Sequence, residues 1–126
     1  MDKVNDESVS KLVNVHTLNL SYTDITDASV SKLINIHTLN LNRIKVTDLN
    51  ITKLINVHTL NLNCIKVTDI SVSKLINAHT LDLDETKVTN VSVPKLTNVR
   101  TLYLKNTQLS RKCINQTISN NVRIYL

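Results

Sequence analysis

The sequence predicts an α/β-type repeat solenoid: a parallel β-sheet on the concave face, short 3₁₀ or extended segments on the convex face, and no long α-helices. Three observations predict it. The phrase His-Thr-Leu-Asn-Leu stands at residues 16–20, 37–41 and 58–62, and returns as His-Thr-Leu-Asp-Leu at 79–83 and Arg-Thr-Leu-Tyr-Leu at 100–104, each time 21 residues after the last. Within each phrase the Leu-x-Leu alternation turns the leucines to one side and the Thr and Asn to the other, which is a strand pattern. Between phrases the aliphatic residues come at every third position, which suits a tight turning path rather than a helix of ten or more residues.

The rows run through the whole chain. Val9, Val30, Ile51, Val72 and Val93 are equivalent, as are Leu12, Leu33, Leu54, Leu75 and Leu96. Val15, Ile36, Val57, Ala78 and Val99 follow, then the two leucines of each phrase, then Ile25, Val46, Val67, Val88 and Leu109, and last Ala28, Leu49, Ile70 and Val91. These seven apolar rows are the expected core. One repeat cannot bury its own apolar side, so neighbours must stack and share it. The organisation reads as a polar N-terminal segment (1–8), five repeats (9–110) and a C-terminal segment (111–126) ending in a sixth strand. That strand is Ile124, Tyr125 and Leu126, 22 residues after 102–104. Neither end shows a clear polar cap; Ile114 and Ile118 would pack as a makeshift one, or the end is open and pairs with another chain.

With these rows in place the pattern resembles the leucine-rich repeat, L-x-x-L-x-L-x-x-N-x-L. The Leu-x-Asn-Val/Ile/Ala stretches at 12–15, 33–36, 54–57 and 75–78, Leu-Thr-Asn-Val at 96–99, and Val-Thr-Asp-Ile at 67–70 are similar to internalin-type repeats. The resemblance covers about 9–110 and implies a non-catalytic protein–protein interaction module that binds through its concave sheet face. Two departures matter. The asparagine that follows the strand in the family is replaced by Thr23, Ile44, Ile65, Thr86 and Thr107, so donors in that turn need other acceptors. Asn14, Asn35, Asn56, Asn77 and Asn98 are the candidates for a structural ladder instead. The period is also one residue short of the ~22 of internalin-type arrays. The deletion falls on the convex side, where no α-helices are expected and only gentle curvature.

Composition narrows the function classes. The chain has 126 residues, 41% hydrophobic, with no Gly, no Trp and no Phe, and a net charge of +5. Without glycine, turns at positive φ are expected to fall to Asn or Asp. Cys64 and Cys113 occupy non-equivalent positions with no CxxC spacing, suggesting free thiols rather than zinc or a disulfide. Residues 1–7 lack the apolar run of a secretory signal and no apolar stretch reaches 18 residues. An intracellular, cytoplasmic protein with no membrane partner is therefore expected. The sequons at Asn19, Asn50, Asn90 and Asn115 then carry no meaning.

On the outward side of the strands, the first three repeats are neutral and amide-rich, while Asp82, Asp84, Glu85, Tyr103 and Lys105 break the rows. The candidate partner-binding residues are Asn40, Asn42, Arg43, Asn61, Asn63, Asp82, Asp84, Glu85, Tyr103 and Lys105, with an unidentified protein as partner. The histidine row (His16, His37, His58, His79) ends at Arg100, and a straight ladder gives a metal no convergent ligand set. It reads as a polar residue copied by duplication. The lysine rows (Lys11, Lys32, Lys53, Lys74, Lys95; Lys45, Lys66, Lys87) could meet phosphates, making nucleic acid or another polyanion the alternative partner. Asp27, Asp48 and Asp69 read as an opposing row that compensates them on a solvated face. No Gly-rich phosphate loop, Gly-x-Ser-x-Gly or His-Glu-x-x-His exists, so no catalytic residue, cofactor or metal is expected.

Overall fold

The computed structural model describes residues 4–12 and 14–126; the first three residues of the polar N-terminal segment lie outside them. Six strands form one parallel sheet in sequence order: β1 (Thr17–Asn19), β2 (Thr38–Asn40), β3 (Thr59–Asn61), β4 (Thr80–Asp82), β5 (Thr101–Tyr103) and β6 (Arg123–Tyr125). The register pairs Leu18, Leu39, Leu60, Leu81, Leu102 and Ile124 rung by rung, as the repeat requires. The sixth strand is present, centred on Ile124.

Opposite the sheet stand single α-helical turns: α1 (Asp6–Val9), α2 (Asp27–Val30), α3 (Asp48–Ile51) and α4 (Asp69–Val72). The expectation of a convex side without α-helix is corrected here. Thr-Asp stands at the start of α2, α3 and α4 and Asn5-Asp6 at the start of α1, placing an N-cap residue and a first-turn acid, with the Thr26 and Thr68 hydroxyls accepting from Ala28 and Ile70 amides. Each turn then tightens into i→i+3 bonds, such as Lys53 N to Asn50 O and Leu54 N to Ile51 O, which return the next leucine to the core. In the fifth repeat, where Pro94 stands, the turn is a 3₁₀ helix (Val93–Lys95).

One continuous core of Leu, Ile and Val fills the space between the two faces, burying each of these side chains for ~1.5–3 kcal/mol. Six of the seven rows lie in it. The last row does not: Leu49, Ile70 and Val91 are exposed to 72%, 68% and 58%. The side chains that turn inward are the next two, Asn50 with Ile51 and Ser71 with Val72. A helical turn places the third and fourth residues inward where an extended path would have buried the second. That local change of period explains the misreading.

The ends differ from expectation as well. At the C-terminus, α5 (Arg111–Ser119) packs against the 3₁₀ turn and β6, with Cys113 and Thr117 buried and Ile118 52% exposed. The cap therefore rests on Cys113 and Thr117, and Ile114 is only partly covered. At the N-terminus, α1 is itself a repeat turn, with Val9 in the core and Asp6 reaching the second repeat.

Candidate functional site

The sheet face is built by the outward side chains of the strands. Thr17, Thr38, Thr59 and Thr80 form one row, and Asn19, Asn40, Asn61, Asp82 and Tyr103 the next. Together they line a shallow trough of about 380 Å³ whose floor shows the edges of Leu18, Leu39 and Leu60. The second row does structural work at its own strand ends. Asn40 Oδ1 accepts from Asn42 N at 2.9 Å, Asn61 Oδ1 from Asn63 N at 2.9 Å, and Asp82 Oδ1 from Asp84 N at 3.0 Å. These bonds answer the missing family asparagine. The turn that follows is held by the amide or carboxylate before it and by the next rung, as in Arg43 N to Asn63 O and Glu85 N to Lys105 O.

That turn requires positive φ, and the chain places it at Tyr22 (59°), Arg43 (57°), Cys64 (59°), Glu85 (57°) and Asn106 (56°). The expectation that Asn or Asp would carry such positions holds at Asn106 and Asn121 and fails at the other four. A left-handed residue with a Cβ costs ~1–2 kcal/mol. The ladder tolerates it at Tyr22, Arg43, Cys64 and Glu85 because each of these four amides donates to the next rung.

The structure divides the ten candidate residues into two groups. Asn40, Asn61, Asp82 and Tyr103 line the trough. Asn42, Asn63, Asp84 and Lys105, with Arg43 and Glu85, lie beyond the strand ends on the turns. Burial pushes the Asp82 carboxyl above its ordinary value, the Asp84 amide bond opposes this, and the Asp84 charge adds to it. Asp84 Oδ1 accepts from Lys105 N at 2.7 Å, and Cys64 Sγ sits 3.3 Å from Glu85 Oε2. Burial and the Glu85 partner hold the Cys64 thiol above its usual range, so it is a poor nucleophile. Tyr103 stacks on Tyr125 with ring centroids 4.7 Å apart, extending the broken part of the row to the last strand. Both tyrosines occupy the same strand position, which was the sequence signal for the pair.

The histidines stack along the strand entrance. His16 and His37 are 4.6 Å apart between centroids, His37 and His58 4.2 Å, and His58 and His79 5.0 Å edge to face. Desolvation, then repulsion from His58, His16 and His79, lowers the His37 pKa. Among the described residues no three His, Cys, Asp or Glu side chains converge as a metal site.

The carboxylate row is not the solvated counterweight that its sequence suggested. Asp48 accepts from the Thr68 amide and hydroxyl and from the Ser71 hydroxyl of the next repeat, and Asp69 does the same with Thr89 and Ser92. Asp6 repeats the arrangement with Thr26 and Ser29, and Asp27 with Thr47 alone, where Asn50 replaces the serine. Asn90 carries the series to Ser110 N at 2.9 Å. The asparagine ladder is present beside it: Asn77 Nδ2 donates to Ile55 O at 2.8 Å and Asn98 Nδ2 to Ile76 O at 2.7 Å.

The six in-register parallel rungs at about 21-residue spacing, joined by short helical segments, decide the architecture. The fold is the leucine-rich-repeat solenoid. Solved structures agree. An internalin C2 from Listeria monocytogenes superposes with a TM-score of 0.72 at 24% identity, over 94% of this chain and 53% of the other. An internalin (inlF) from the same organism gives 0.71 at 21%, over 98% and 45%. The leucine-rich-repeat ectodomain of the receptor kinase SOBIR1 from Arabidopsis thaliana gives 0.58 at 18%, over 86% and 65%. The chain spans about half the length of the internalins it matches. No family model and no curated protein matches it in sequence.

Proposed function

We propose that this leucine-rich-repeat chain is a non-catalytic protein-interaction module that binds a protein partner through its concave sheet face. The observation that carries the reading is the trough, where uniform Thr and Asn rows give way to Asp82 and Tyr103 in adjacent strands. A row that breaks toward charge and a half-buried stacked aromatic supplies the anchor chemistry that protein interfaces use. Asp84, Glu85 and Lys105 extend this patch on the turns, and Asn40, Asn42, Arg43, Asn61 and Asn63 continue it with amides and a guanidinium. The open trough has no enclosed, water-free pocket of the kind a reaction needs. Among the described residues β1 and β6 are the edge strands of the sheet, and these edges are a second route to association, with another copy of the chain.

Affinity capture with the intact chain tests the sheet-face reading. Asp82→Asn keeps the turn bond that Asn40 and Asn61 make in their own repeats while removing the charge, and Tyr103→Ala removes the anchor. Loss of the captured species with these variants, but not with substitutions on the helical face, supports the site. Unchanged capture refutes it.

A polyanion is the alternative, favoured by one observation: Arg43, Lys45 and Lys66 line a second cavity, of about 540 Å³, beside the turns. Retention on DNA or heparin that falls steeply with salt, and is lost with Lys45→Gln and Lys66→Gln, would select it.

A further inference from the structure

The helical face is the part of the molecule that the sheet-face reading leaves unused. Leu49, Ile70 and Val91 stand in line on successive turns, mostly exposed. Just past each turn come Lys53, Lys74 and Lys95, all exposed, and then, on the return toward the next strand, a second aliphatic row, Ile34, Ile55 and Ile76, exposed to 44–48%. Rungs of a parallel sheet are ~4.8 Å apart, so the rows are continuous ridges. Both oxygens of Asp48 and of Asp69 accept bonds from Thr donors of the neighbouring repeat, which fixes each carboxylate in the ladder between repeats while it keeps its charge. Glu7, at the N-terminal end, is the exposed acid in line with these rows.

We infer that this face is a peripheral docking surface for an anionic lipid bilayer. Its aliphatic ridges would enter the interfacial region while Lys53, Lys74 and Lys95, joined by Lys32, lie against phosphate headgroups. Two arguments select this occupant. A second copy placed back to back would set lysine row against lysine row. And the face repeats nearly the same residues at every rung, so it offers a uniform field without the positional variation that reads a particular protein; mobile headgroups can adjust to such a field. Combined apolar and basic contacts are what stable peripheral attachment needs. The expectation of no membrane partner concerned spanning segments, and among the described residues no helix is long and apolar enough to cross a bilayer. Lying on one is a separate property, on the face opposite the trough.

Co-sedimentation of the chain with phosphatidylcholine vesicles, with and without phosphatidylserine, tests this. The expected result is binding at least ~10-fold stronger to the anionic vesicles, reduced ~10-fold or more both by Leu49→Ser/Ile70→Ser/Val91→Ser and by Lys53→Gln/Lys74→Gln/Lys95→Gln. Arg111→Gln/Lys112→Gln/Arg123→Gln removes the same charge from exposed positions outside these rows and should bind within ~3-fold of the parent. Circular dichroism melts establish that each variant is folded. Absence of an anionic preference overturns the inference, as does equal loss in the control variant, which would mean diffuse charge alone. Full retention by the serine variant overturns it too, since the ridges would then play no part. So would specific capture of an acidic protein by this face without vesicle binding.

Discussion

Asp48 Oδ1 accepts a hydrogen bond from the Thr68 backbone amide at 2.9 Å while its Oδ2 accepts from the Thr68 hydroxyl at 2.6 Å. One carboxylate thus holds the first residue of the next turn by both its backbone and its side chain, and Ser71 completes the set. Asp48→Ala should cost ~2–4 kcal/mol, because it leaves the Ser71 hydroxyl, fully buried, and a half-buried amide without acceptors. Asp48→Asn should cost less, since Asn90 holds Ser110 N in the same position. Urea denaturation of the two variants checks this, and a loss below ~0.5 kcal/mol in the alanine variant would remove the ladder from the account of stability.

The same ladder sets the acid limit. Hydrogen bonds from Ser29 and Thr26 hold the Asp6 carboxyl down to about 2, against 3.8 when free. For Asp48 and Asp69 burial acts to raise the value, but the serine and threonine bonds together outweigh it and leave both below 3.8. A depressed folded value means stability that is complete above pH 3.8 and lost as pH falls toward 2. Melts between pH 5 and pH 2 should show this decline, and Asp6→Asn should make it shallower.

A second, separate decline is expected at milder pH. His37 binds its proton less readily in the folded chain than the ordinary value of 6.5 allows, because of desolvation and its stacked neighbours. The unfolded chain therefore takes up protons first. Stability is complete above 6.5 and decreases as pH drops below it. The melting temperature should be lower at pH 5 than at pH 7.5, and His37→Gln should reduce the difference. Equal melting temperatures with all four histidines present would refute this.

The left-handed turns predict a gain. Tyr22 and Glu85, at φ 59° and 57°, are exposed and carry a Cβ into a region that asparagine tolerates and glycine prefers. Tyr22→Asn and Glu85→Asn should each raise stability by ~0.5–1 kcal/mol. Destabilisation by either, in thermal melts, would mean that the ladder of side chains across these turns outweighs the backbone term.

Two aliphatic residues two positions apart, Leu49 and Ile51, separate the exposed row from the buried one. Ile51 is fully buried and Leu49 is 72% exposed. Ile51→Ala should cost ~2–5 kcal/mol, whereas Leu49→Ser should change stability by less than ~0.5 kcal/mol. Chemical denaturation of the pair measures the contrast directly.

Much of the fold was legible because a solenoid reuses one solution. Leu39, Leu60, Leu81 and Leu102 stand at one spacing, and a period-two pattern repeated every 21 residues admits few arrangements except parallel rungs in register. The sixth strand was legible from Ile124 and Tyr125 for the same reason. The helical turns were not. Four residues are too few to show a 3.6 period, so the sequence reads Leu49 and Ile70 as core, whereas the turn capped by Thr68 buries Ser71 and Val72 and exposes Ile70. The sheet face was legible in part. Asp82 and Tyr103 stood out as breaks in a row, but nothing local separated the trough residues from those on the turn beyond the strand.

The sequence by itself determined the number of rungs, their register and the inward leucines, since periodicity is a property of the chain alone. The tertiary structure decided how polar rows are used, because hydrogen bonding and exposure depend on which repeat lies 20 residues away. It turned the aspartates from a solvated counter-charge into a ladder between repeats. It buried Cys113 and Thr117 of α5 where the sequence pointed to Ile114 and Ile118. And it left the lysine and aliphatic ridges of the helical face turned to the outside.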